Sequence, residues 1–308
     1  MGFMNKLDKA YQELLQSILH NGIVKGDRTG TGTKSLFGKQ IRHNMADGFP
    51  LLTTKKMAIK TMMTELKWFL KGDTNIKYLV DNGCKVWNGD AYKNYKTKGG
   101  KAETEKDFID KIKGCDEFAM KWGELGPIYG NQWRAWGSQT QYNHITKETK
   151  LTRRGIDQIR ELITNIKENP NSRRLMVSAW NVAEIGNVVL PPCHYGFQCY
   201  VADGKLSLMW NQRSVDTALG LPFNIASYGT LLLLLCEETN LKPGELIGNL
   251  GDTHLYSNHL EGAREQMVRE SYELPTIKLT NVDVLNGEFD YEVIDYNHHP
   301  TIKFPLSN

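Results

Sequence analysis

The spacing of apolar residues predicts a helix near the beginning of the chain. Apolar side chains recur at helical intervals from Leu7 to Leu19, and Asn21-Gly22 supplies a stop signal. A second helical pattern covers residues 57–71, and Glu65 falls within its apolar side. An ionised carboxylate on a core face is costly unless it has a partner. Glu65 therefore marks either a small error of register or a functional group.

The second half of the chain shows the alternation of apolar and polar residues that is typical of strands. One strand is predicted over 175–180, and alternating positions on both sides of Asp203-Gly204 predict a β-hairpin. A long apolar helix is predicted over 224–239. Further short strands are predicted over 276–279 and 291–294. Because no regular βαβ order and no GxGxxG motif is present, we predict an α+β fold, with a large mixed or antiparallel sheet flanked by helices.

The amino-acid composition adds little to this prediction of the fold. The chain has 308 residues, of which 40% are hydrophobic and 24% charged, and its formal net charge is +3. We expect one domain over 1–308, with a variable, charge-rich surface insertion at about 91–121. The small net charge argues against nucleic acid as a partner, whereas small anionic substrates are compatible with it.

Five widely spaced cysteines without a CxxC motif argue against a zinc cluster, so no metal is expected. The N-terminal residues resemble no signal peptide, and the most apolar run, 231–236, is too short to span a bilayer. We therefore expect a cytoplasmic protein without a membrane partner.

Residues with reactive or polar side chains are concentrated between 190 and 256. Cys193 follows two prolines and precedes a histidine, and a dense polar run covers 211–216. A thiol, an arginine, a carboxylate, an amide and an imidazole in such proximity indicate a nucleophile beside an anion site and a polar reader of a ring. The glycine- and threonine-rich stretch 26–33 is either an ordinary turn or an anion loop that presents Arg28.

Several motifs in one order resemble the thymidylate synthase family. They lie at 27–32, 52–56, 65–69, 126–134, 172–174, 192–194, 212–216, 220–228 and 251–259. The resemblance covers nearly the whole chain except 91–121. It implies that dUMP and the co-substrate 5,10-methylenetetrahydrofolate are converted to dTMP and dihydrofolate, without a metal or a nicotinamide. It also implies that the sulfur of Cys193 adds to C6 of the pyrimidine.

The resemblance assigns three groups of site residues. The catalytic group is Cys193, Glu65, His194, Asp252 and Tyr129. The nucleotide group is Arg28, Gln212, Arg213, Ser214, Asn224, His254 and Tyr256, together with Arg173 and Arg174, which a homodimer would contribute to the partner's site. The folate group is Trp87, Leu190, Asp216, Leu219, Gly220, Phe223 and Lys55. Asparagine at 224 implies dUMP rather than dCMP, because related deoxycytidylate hydroxymethylases have an aspartate there.

The residues by themselves leave other interpretations open. Arg173-Arg174 could be a solvated basic pair, and Trp87 could be an ordinary core residue. Asn224 could be the N-cap of the predicted helix. His254 and Tyr256 could simply pack against each other on a strand.

The end of the chain departs from the family pattern and leaves the product open. Family members usually end with small apolar residues that fold over the bound ligands, whereas this chain ends Phe304-Pro305-Leu306-Ser307-Asn308. Closure keeps water from the reaction before hydride transfer. The alternative function is therefore a dUMP hydroxymethylase that yields 5-hydroxymethyl-dUMP and tetrahydrofolate. A non-catalytic RNA-binding protein is the remote alternative.

Overall fold

A computed structural model of the chain describes residues 5–143 and 148–307, with the backbone alone described over 139–143 and 148–153. The chain divides into two compact units. The first comprises residues 1–62, 193–282 and 289–308, and the second comprises 63–192 and 283–288. Whether the chain is best regarded as a single domain stays a prediction.

The helices and strands follow one another along the chain. In order they are α1 (Lys6–Asn21), β1 (Ile23–Lys25), β2 (Thr33–Asn44), α2 (Ile59–Leu70), α3 (Lys77–Asp81), α4 (Asn88–Thr97), α5 (Glu105–Gly114), α6 (Asp116–Trp122), α7 (Tyr129–Ala135), β3 (Gln139–Asn143), β4 (Glu148–Arg153), α8 (Gln158–Glu168), β5 (Met176–Ser178), β6 (His194–Ala202), β7 (Lys205–Asp216), α9 (Gly220–Thr239), β8 (Lys242–Tyr256), α10 (Leu260–Met267), β9 (Thr276–Asp283) and β10 (Glu288–Ile294).

The first unit is built on a mixed sheet. Its strands are hydrogen-bonded in the order β1-β2-β8-β7-β6. β2 pairs antiparallel with β8, β8 pairs parallel with β7, and β7 pairs antiparallel with β6. Alternate side chains of β7 and β8, among them Leu208, Trp210 and Leu246, are buried on the face that α9 covers. The predicted α+β class with a large mixed sheet is confirmed.

The predicted β-hairpin is formed by β6 and β7. Phe197 lies opposite Trp210, and the two strands are joined at Asp203 and Gly204, which have φ values of 50° and 69°. Two successive residues in the left-handed region make a turn whose twist matches that of the flanking strands. The strands predicted over 276–279 and 291–294 are found within β9 and β10, which pair with each other.

The long helix α9 begins four residues before the predicted start. Asp216 Oδ1 accepts hydrogen bonds from the backbone N–H groups of Ala218 (3.1 Å) and Leu219 (3.0 Å), and this turn leads directly into Gly220. Asn224 lies one turn inside the helix, so its interpretation as the N-cap is wrong. The length and composition of α9 would suit a membrane span, but two-thirds of its most apolar window is buried in the protein. α9 is therefore a core helix.

A buried carboxylate fixes the segment that carries Lys55. Asp8 lies on the core side of α1 and is fully buried. It accepts hydrogen bonds from the backbone N–H (3.1 Å) and hydroxyl (2.6 Å) of Thr53 and from the hydroxyl of Thr54 (3.0 Å). A buried carboxylate is tolerated because these donors replace water.

The described side chains of the second unit form two aromatic clusters. Trp68, Phe69, Trp87, Tyr129 and Trp133 form the first, with ring centroids 4.8–6.1 Å apart.

The second cluster lies within the charge-rich region at 91–121, which folds as α4, α5 and α6. Tyr95 packs against Phe108 (4.9 Å) and against Phe118 (5.6 Å). Thr104 and Asp107 form a capping box at the start of α5. The region thus has a small core of its own, and its status as a variable insertion stays a prediction.

Candidate active site

Cys193 lies directly before β6 and is the partly exposed cysteine of the five. Its carbonyl oxygen accepts a hydrogen bond from the backbone N–H of Arg213 at 2.8 Å. Cys193 therefore lies beside Arg213 of β7. Burial raises the pKa of Cys84 to about 11 and that of Cys236 to about 12, and also raises the pKa of Cys199. These three are held as thiols, so they suit packing rather than nucleophilic attack.

His194 is buried behind Cys193. Its Nδ1 lies 2.8 Å from the hydroxyl of Tyr228, and Tyr228 stacks on Trp210 with the ring planes at 7°. Burial lowers the pKa of His194 to about 3. The imidazole is therefore neutral near pH 7, and it orients neighbouring groups by hydrogen bonding rather than by charge.

A chain of hydrogen bonds orients the amide of Asn224. Trp210 Nε1 donates to Gln212 Oε1 (3.1 Å), and Gln212 Nε2 donates to Asn224 Oδ1 (3.0 Å) and to the Ser214 carbonyl (3.1 Å). With its oxygen fixed by Gln212, the Asn224 amide can direct its Nδ2 donors at a carbonyl oxygen. The second lone pair of Oδ1 can accept from a ring N–H. This is the pattern that the O4 and N3–H edge of uracil requires.

The loop that carries Arg28 is ordered by Asp27. The two Asp27 oxygens accept from the backbone N–H groups of Gly32 (2.7 Å) and Thr29 (2.8 Å). The hydrogen bond from the Thr29 hydroxyl lowers the pKa of Asp27. Gly30 and Gly32 have φ values of 75° and 79°, which glycine adopts without strain. The loop thus presents the exposed Arg28 from a fixed frame.

The Tyr256 hydroxyl marks where the site groups of the first unit meet. Burial raises the pKa of Tyr256, as do the charges of Asp216, Asp27 and Cys193, whereas Arg28 lowers it. These charges act on one hydroxyl, so their side chains lie near the same end of β8. The ring of His254 packs edge-on against that of Tyr256 at 5.2 Å.

Asp252 is paired with a lysine that the sequence did not point to. Its Oδ2 lies 2.5 Å from Lys25 Nζ, and its Oδ1 lies 3.4 Å from His254 Nδ1. In the sheet register Asp252 faces Ser214 of β7. The carboxylate therefore connects β1 with the histidine of β8.

Lys55 contacts the turn before α9. Its ammonium donates to the carbonyl of Ala218 and lies 4.8 Å from the ring centroid of Phe304. Burial lowers the pKa of Lys55 to about 8, against the opposing effect of Asp216. Leu219, Gly220 and Phe223 remain partly exposed at the start of α9. A direct contact between Lys55 and a folate stays a prediction.

Glu65 and Trp87 form the centre of the predicted site residues in the second unit. Trp87 Nε1 donates to Glu65 Oε1 at 2.9 Å, and the Trp87 ring packs edge-on against Tyr129. The Glu65 side chain is partly accessible, yet burial raises its pKa to about 7. A carboxyl with such a pKa can both donate and accept a proton near pH 7.

The two predicted phosphate-binding arginines of the second unit are exposed. Arg173 and Arg174 precede β5, and the Arg174 backbone N–H donates to the Ser172 hydroxyl at 3.1 Å. Leu190 lies partly exposed farther along the same unit. The structure thus brings Arg28, Cys193, Asp216 and Tyr256 together in one unit and Glu65, Trp87 and Tyr129 in the other.

A surface cavity of about 560 Å³ in the second unit is lined by none of the predicted site residues. Arg134, Arg154, Asp157 and Arg160 contribute to its wall. Arg134 forms two hydrogen bonds of 2.8 Å with Asp157, so the charge of this arginine is compensated within the cavity wall. Within the described residues, no group of histidine, cysteine and carboxylate side chains is arranged to hold a metal ion.

Sequence reasoning missed several residues that support the site. Tyr228, Lys25 and His259 contact site residues but had been given no role. His259 closes the motif at 251–259, and its position there was a usable signal. Lys25 had none, because an isolated lysine on a short strand is ordinary.

Comparison with known proteins agrees with this geometry. The family model described as thymidylate synthase matches residues 9–308. A Mycoplasma mobile protein described as thymidylate synthase is 49% identical over 298 residues, which cover 95% of this chain and 97% of that protein. The fold and these matches define a one-carbon methyltransferase. The chain belongs to the thymidylate synthase family.

Proposed function

We propose that this protein methylates dUMP reductively to dTMP, with 5,10-methylenetetrahydrofolate as co-substrate and dihydrofolate as the second product. The observation that carries the proposal is Cys193, a partly exposed thiol joined to the Arg213 strand, in the unit where Gln212 orients Asn224. The family match agrees with this reaction and gives no support to the hydroxymethylase or to the RNA-binding alternative.

Cys193 is the nucleophile. Its thiolate forms a bond to C6 of the uracil ring, and the C5=C6 π electrons move so that C5 becomes an enolate carbon. That carbon attacks the one-carbon unit. The folate co-substrate supplies both that carbon and the hydride that reduces it. Loss of the C5 proton and expulsion of the thiolate later restore the ring. The cationic side chains of Arg28 and Arg213 favour the thiolate.

Glu65 takes part in the proton transfers. With a pKa of about 7 it is present near neutral pH in both protonated and ionised forms. It can therefore protonate a leaving nitrogen or a ring oxygen and later accept a proton. We assign supporting roles in these transfers to Tyr129, His194 and Asp252. The neutral His194 cannot serve as a cationic acid at pH 7, because burial holds its pKa at about 3.

Three groups of residues bind the nucleotide, at its pyrimidine ring, its 3′-hydroxyl and its 5′-phosphate. The amide of Asn224, which Gln212 holds in place, forms hydrogen bonds with O4 and N3–H of uracil. His254 and Tyr256 bind the 3′-hydroxyl of the deoxyribose. Arg28, Arg213 and Ser214 bind the 5′-phosphate, for which planar and permanently charged donors are well suited.

The remaining phosphate ligands come from a second copy of the chain. We assign them to Arg173 and Arg174 of the partner subunit in a two-fold homodimer. Phe37 of β2 and Tyr200 of β6 are 88% and 68% exposed, and we expect these side chains to contribute to the contact between the subunits. Mixing inactive Cys193→Ser and Arg174→Ala subunits should restore part of the activity. Stable mixed dimers without any recovery would contradict a shared site.

The folate lies against residues whose chemistry suits it. The carboxylate of Asp216 accepts from the N–H groups of the pterin, while Trp87, Leu190, Leu219, Gly220 and Phe223 provide apolar surface. Lys55 contributes a buried cation close to Asp216. We place the enzyme in the cytoplasm, where both substrates are soluble.

Product identification tests the reaction directly. Purified protein is incubated with dUMP and 5,10-methylenetetrahydrofolate. The mass of the nucleotide product is measured by mass spectrometry, and the formation of dihydrofolate is followed by its absorbance. We expect dTMP and dihydrofolate in equal amounts. Cys193→Ser should lose at least about 10³-fold in kcat, because a hydroxyl is a far weaker nucleophile near pH 7.

The matched control is Cys115→Ser, which alters an exposed cysteine away from the site and should leave kcat unchanged. A 5-hydroxymethyl product would replace the proposed reaction with the hydroxymethylase. Near-normal turnover by Cys193→Ser would remove the proposed nucleophile.

A further inference from the structure

Lys25 holds the carboxylate that lies beside His254. Its Nζ lies 2.5 Å from Oδ2 of Asp252, and the two side chains are 49% and 35% exposed. An ion pair as open to water as this one adds little to the stability of a fold. The contact can nevertheless fix the direction of the Asp252 carboxylate, because a residue of another strand, β1, holds one of its two oxygens.

The second oxygen of Asp252 faces a ring nitrogen of His254. Oδ1 is buried without a hydrogen-bond partner in the described part of the chain, and it lies 3.4 Å from His254 Nδ1. The same nitrogen lies 3.2 Å from the backbone carbonyl oxygen of Asp252. A carbonyl oxygen and a carboxylate are both acceptors, so the proton of a neutral His254 belongs on Nδ1. Nε2 then presents a lone pair to a ligand.

The strand and its neighbours limit how the His254 ring can turn. Asp252, His254 and Tyr256 alternate along β8, so their side chains share one face of the sheet. The ring of His254 is buried and packs edge-on against that of Tyr256 at 5.2 Å. In the pairing with β7, Asp252 lies opposite Ser214 and His254 lies opposite Asp216. The imidazole is therefore held between the Tyr256 ring and the Asp252 carboxylate.

We propose that Lys25 is a positioning residue for His254. By holding Asp252, it keeps the proton of the imidazole on Nδ1, and Nε2 accepts a hydrogen bond from the 3′-hydroxyl of the nucleotide. Lys25 thereby favours nucleotides with a hydroxyl at this position without itself contacting the sugar. This inference rests on the proposed function, in which His254 binds the 3′-hydroxyl.

Three substitutions separate positioning from a general loss of charge. Lys25→Met removes the ammonium and keeps the length of the side chain. Lys25→Arg keeps a cationic donor that can reach a carboxylate. Lys9→Met is the matched control, because Lys9 also forms an exposed ion pair, 4.0 Å from Glu13 on α1.

Calorimetry with dUMP and with 2′,3′-dideoxyuridine 5′-monophosphate measures the effect without turnover. In the unmodified protein we expect the dideoxy nucleotide to bind about tenfold more weakly, as loss of one hydrogen bond would cause. Lys25→Met should weaken dUMP binding about fourfold and dideoxy binding by less than about 1.5-fold, so the preference for the hydroxyl falls to about threefold. Lys25→Arg should keep most of the preference, and Lys9→Met should change neither affinity.

Two outcomes would overturn the inference. Equal weakening of both nucleotides by Lys25→Met would show that the lost charge acts on the whole anion rather than through His254. An unchanged Kd for dUMP would show that Lys25 has no role in binding. Asp252→Asn adds a further test, because Lys25→Met should have little additional effect on the Kd for dUMP in that variant.

The tautomer of His254 gives a second readout that needs no nucleotide. Nitrogen-15 NMR at about pH 8, where an ordinary imidazole is neutral, should show the proton of His254 on Nδ1 in the unmodified protein. A proton on Nε2 would overturn the inference. Failure of the proposed function would look different, since the unmodified protein would then not bind or convert dUMP whatever the tautomer.

Discussion

Two carboxylates of the second unit have opposite surroundings and opposite proton affinities. Glu65 lies within α2 beside aromatic rings, and burial raises its pKa to about 7 although the indole of Trp87 donates a hydrogen bond that opposes this shift. Asp157 caps α8 and is also partly buried, but hydrogen bonds from Arg134 and Arg160 outweigh burial and lower its pKa. Burial alone does not make a carboxyl a working acid. The charge of its partners decides whether it holds a proton.

The largest expected effect comes from removing the acid of this pair. Glu65→Gln keeps the size of the side chain but cannot exchange a proton, so kcat should fall by about 10²–10⁴-fold. Stability should be nearly unchanged near pH 5 and higher than in the wild type by about 1–3 kcal/mol at pH 7 and above, because a costly ionisable group is replaced by a neutral one. Steady-state kinetics and urea unfolding measure the two effects. Glu13→Gln, on the exposed side of α1, is the control. A large loss of stability with kcat unchanged would show that Glu65 has a structural role and takes no part in proton transfer.

Asp157→Asn should have the complementary outcome. Asparagine is as good an N-cap as aspartate, so the substitution removes the charge and leaves the cap of α8. Arg134 is left without its anion at a site where its side chain is only 12% exposed. We expect a loss of about 2–4 kcal/mol in the free energy of unfolding. Asp110→Asn, at an exposed position of α5, should change it by less than about 0.5 kcal/mol. If Asp157→Asn is equally harmless, the ion pair contributes nothing to stability.

The pH dependence of stability should differ in sign between the two groups. The folded protein holds the Glu65 proton up to a pKa of about 7, whereas an unperturbed glutamate loses it near 4.5. Glu65 therefore lowers stability as the pH rises from 4.5 to 7, by about 1–3 kcal/mol given its partial accessibility. Asp157 has a lowered pKa, so its contribution is lost only when the pH falls through that value, below 3.8. Unfolding of the wild type and of Glu65→Gln between about pH 5 and 8 should give converging stabilities at low pH. Parallel curves would contradict the raised pKa.

The smallest expected effect comes from removing the indole N–H of Trp87, which donates to Glu65. The hydrogen bond from Trp87 lowers the pKa of Glu65 and so opposes burial. Trp87→Phe should raise that pKa further and move the acidic limb of the kcat profile towards higher pH, by about one unit or less. Trp68→Phe is a matched control, because its indole donates to the Asn75 carbonyl instead. A limb that moves equally in both variants would point to general loosening of the aromatic cluster.

Local signals predicted a large part of the fold. The helical period and the Asn21-Gly22 stop gave α1, and the left-handed turn at Asp203 gave the hairpin, because both depend on neighbouring residues. The start of α9 was placed too late because the turn made by Asp216 involves a side chain and two later backbone groups. Periodicity also did not reveal the helices of 91–121, whose aromatic contacts join distant positions such as Tyr95 and Trp122.

The site was predicted from motif order rather than from spacing. Cys193, Arg213 and Asn224 were recognised within motifs, and the sheet then places the first two side by side. Lys25 and Tyr228 could not be assigned, because their roles arise from pairing across strands and from stacking behind the site. The opposite proton affinities of Glu65 and Asp157 also depend on partners far away in sequence. The amino-acid composition does not reveal these partners.

The pairing of β2 with β8 has a consequence for biosynthesis. Thr33 lies opposite Tyr256, so the whole of residues 45–241 must be translated between the two strands before their ladder can form. Until then β2 has an open edge that invites intermolecular pairing. Such long-range closure slows folding. We therefore expect truncated translation products that lack β8 to aggregate more readily than the full chain.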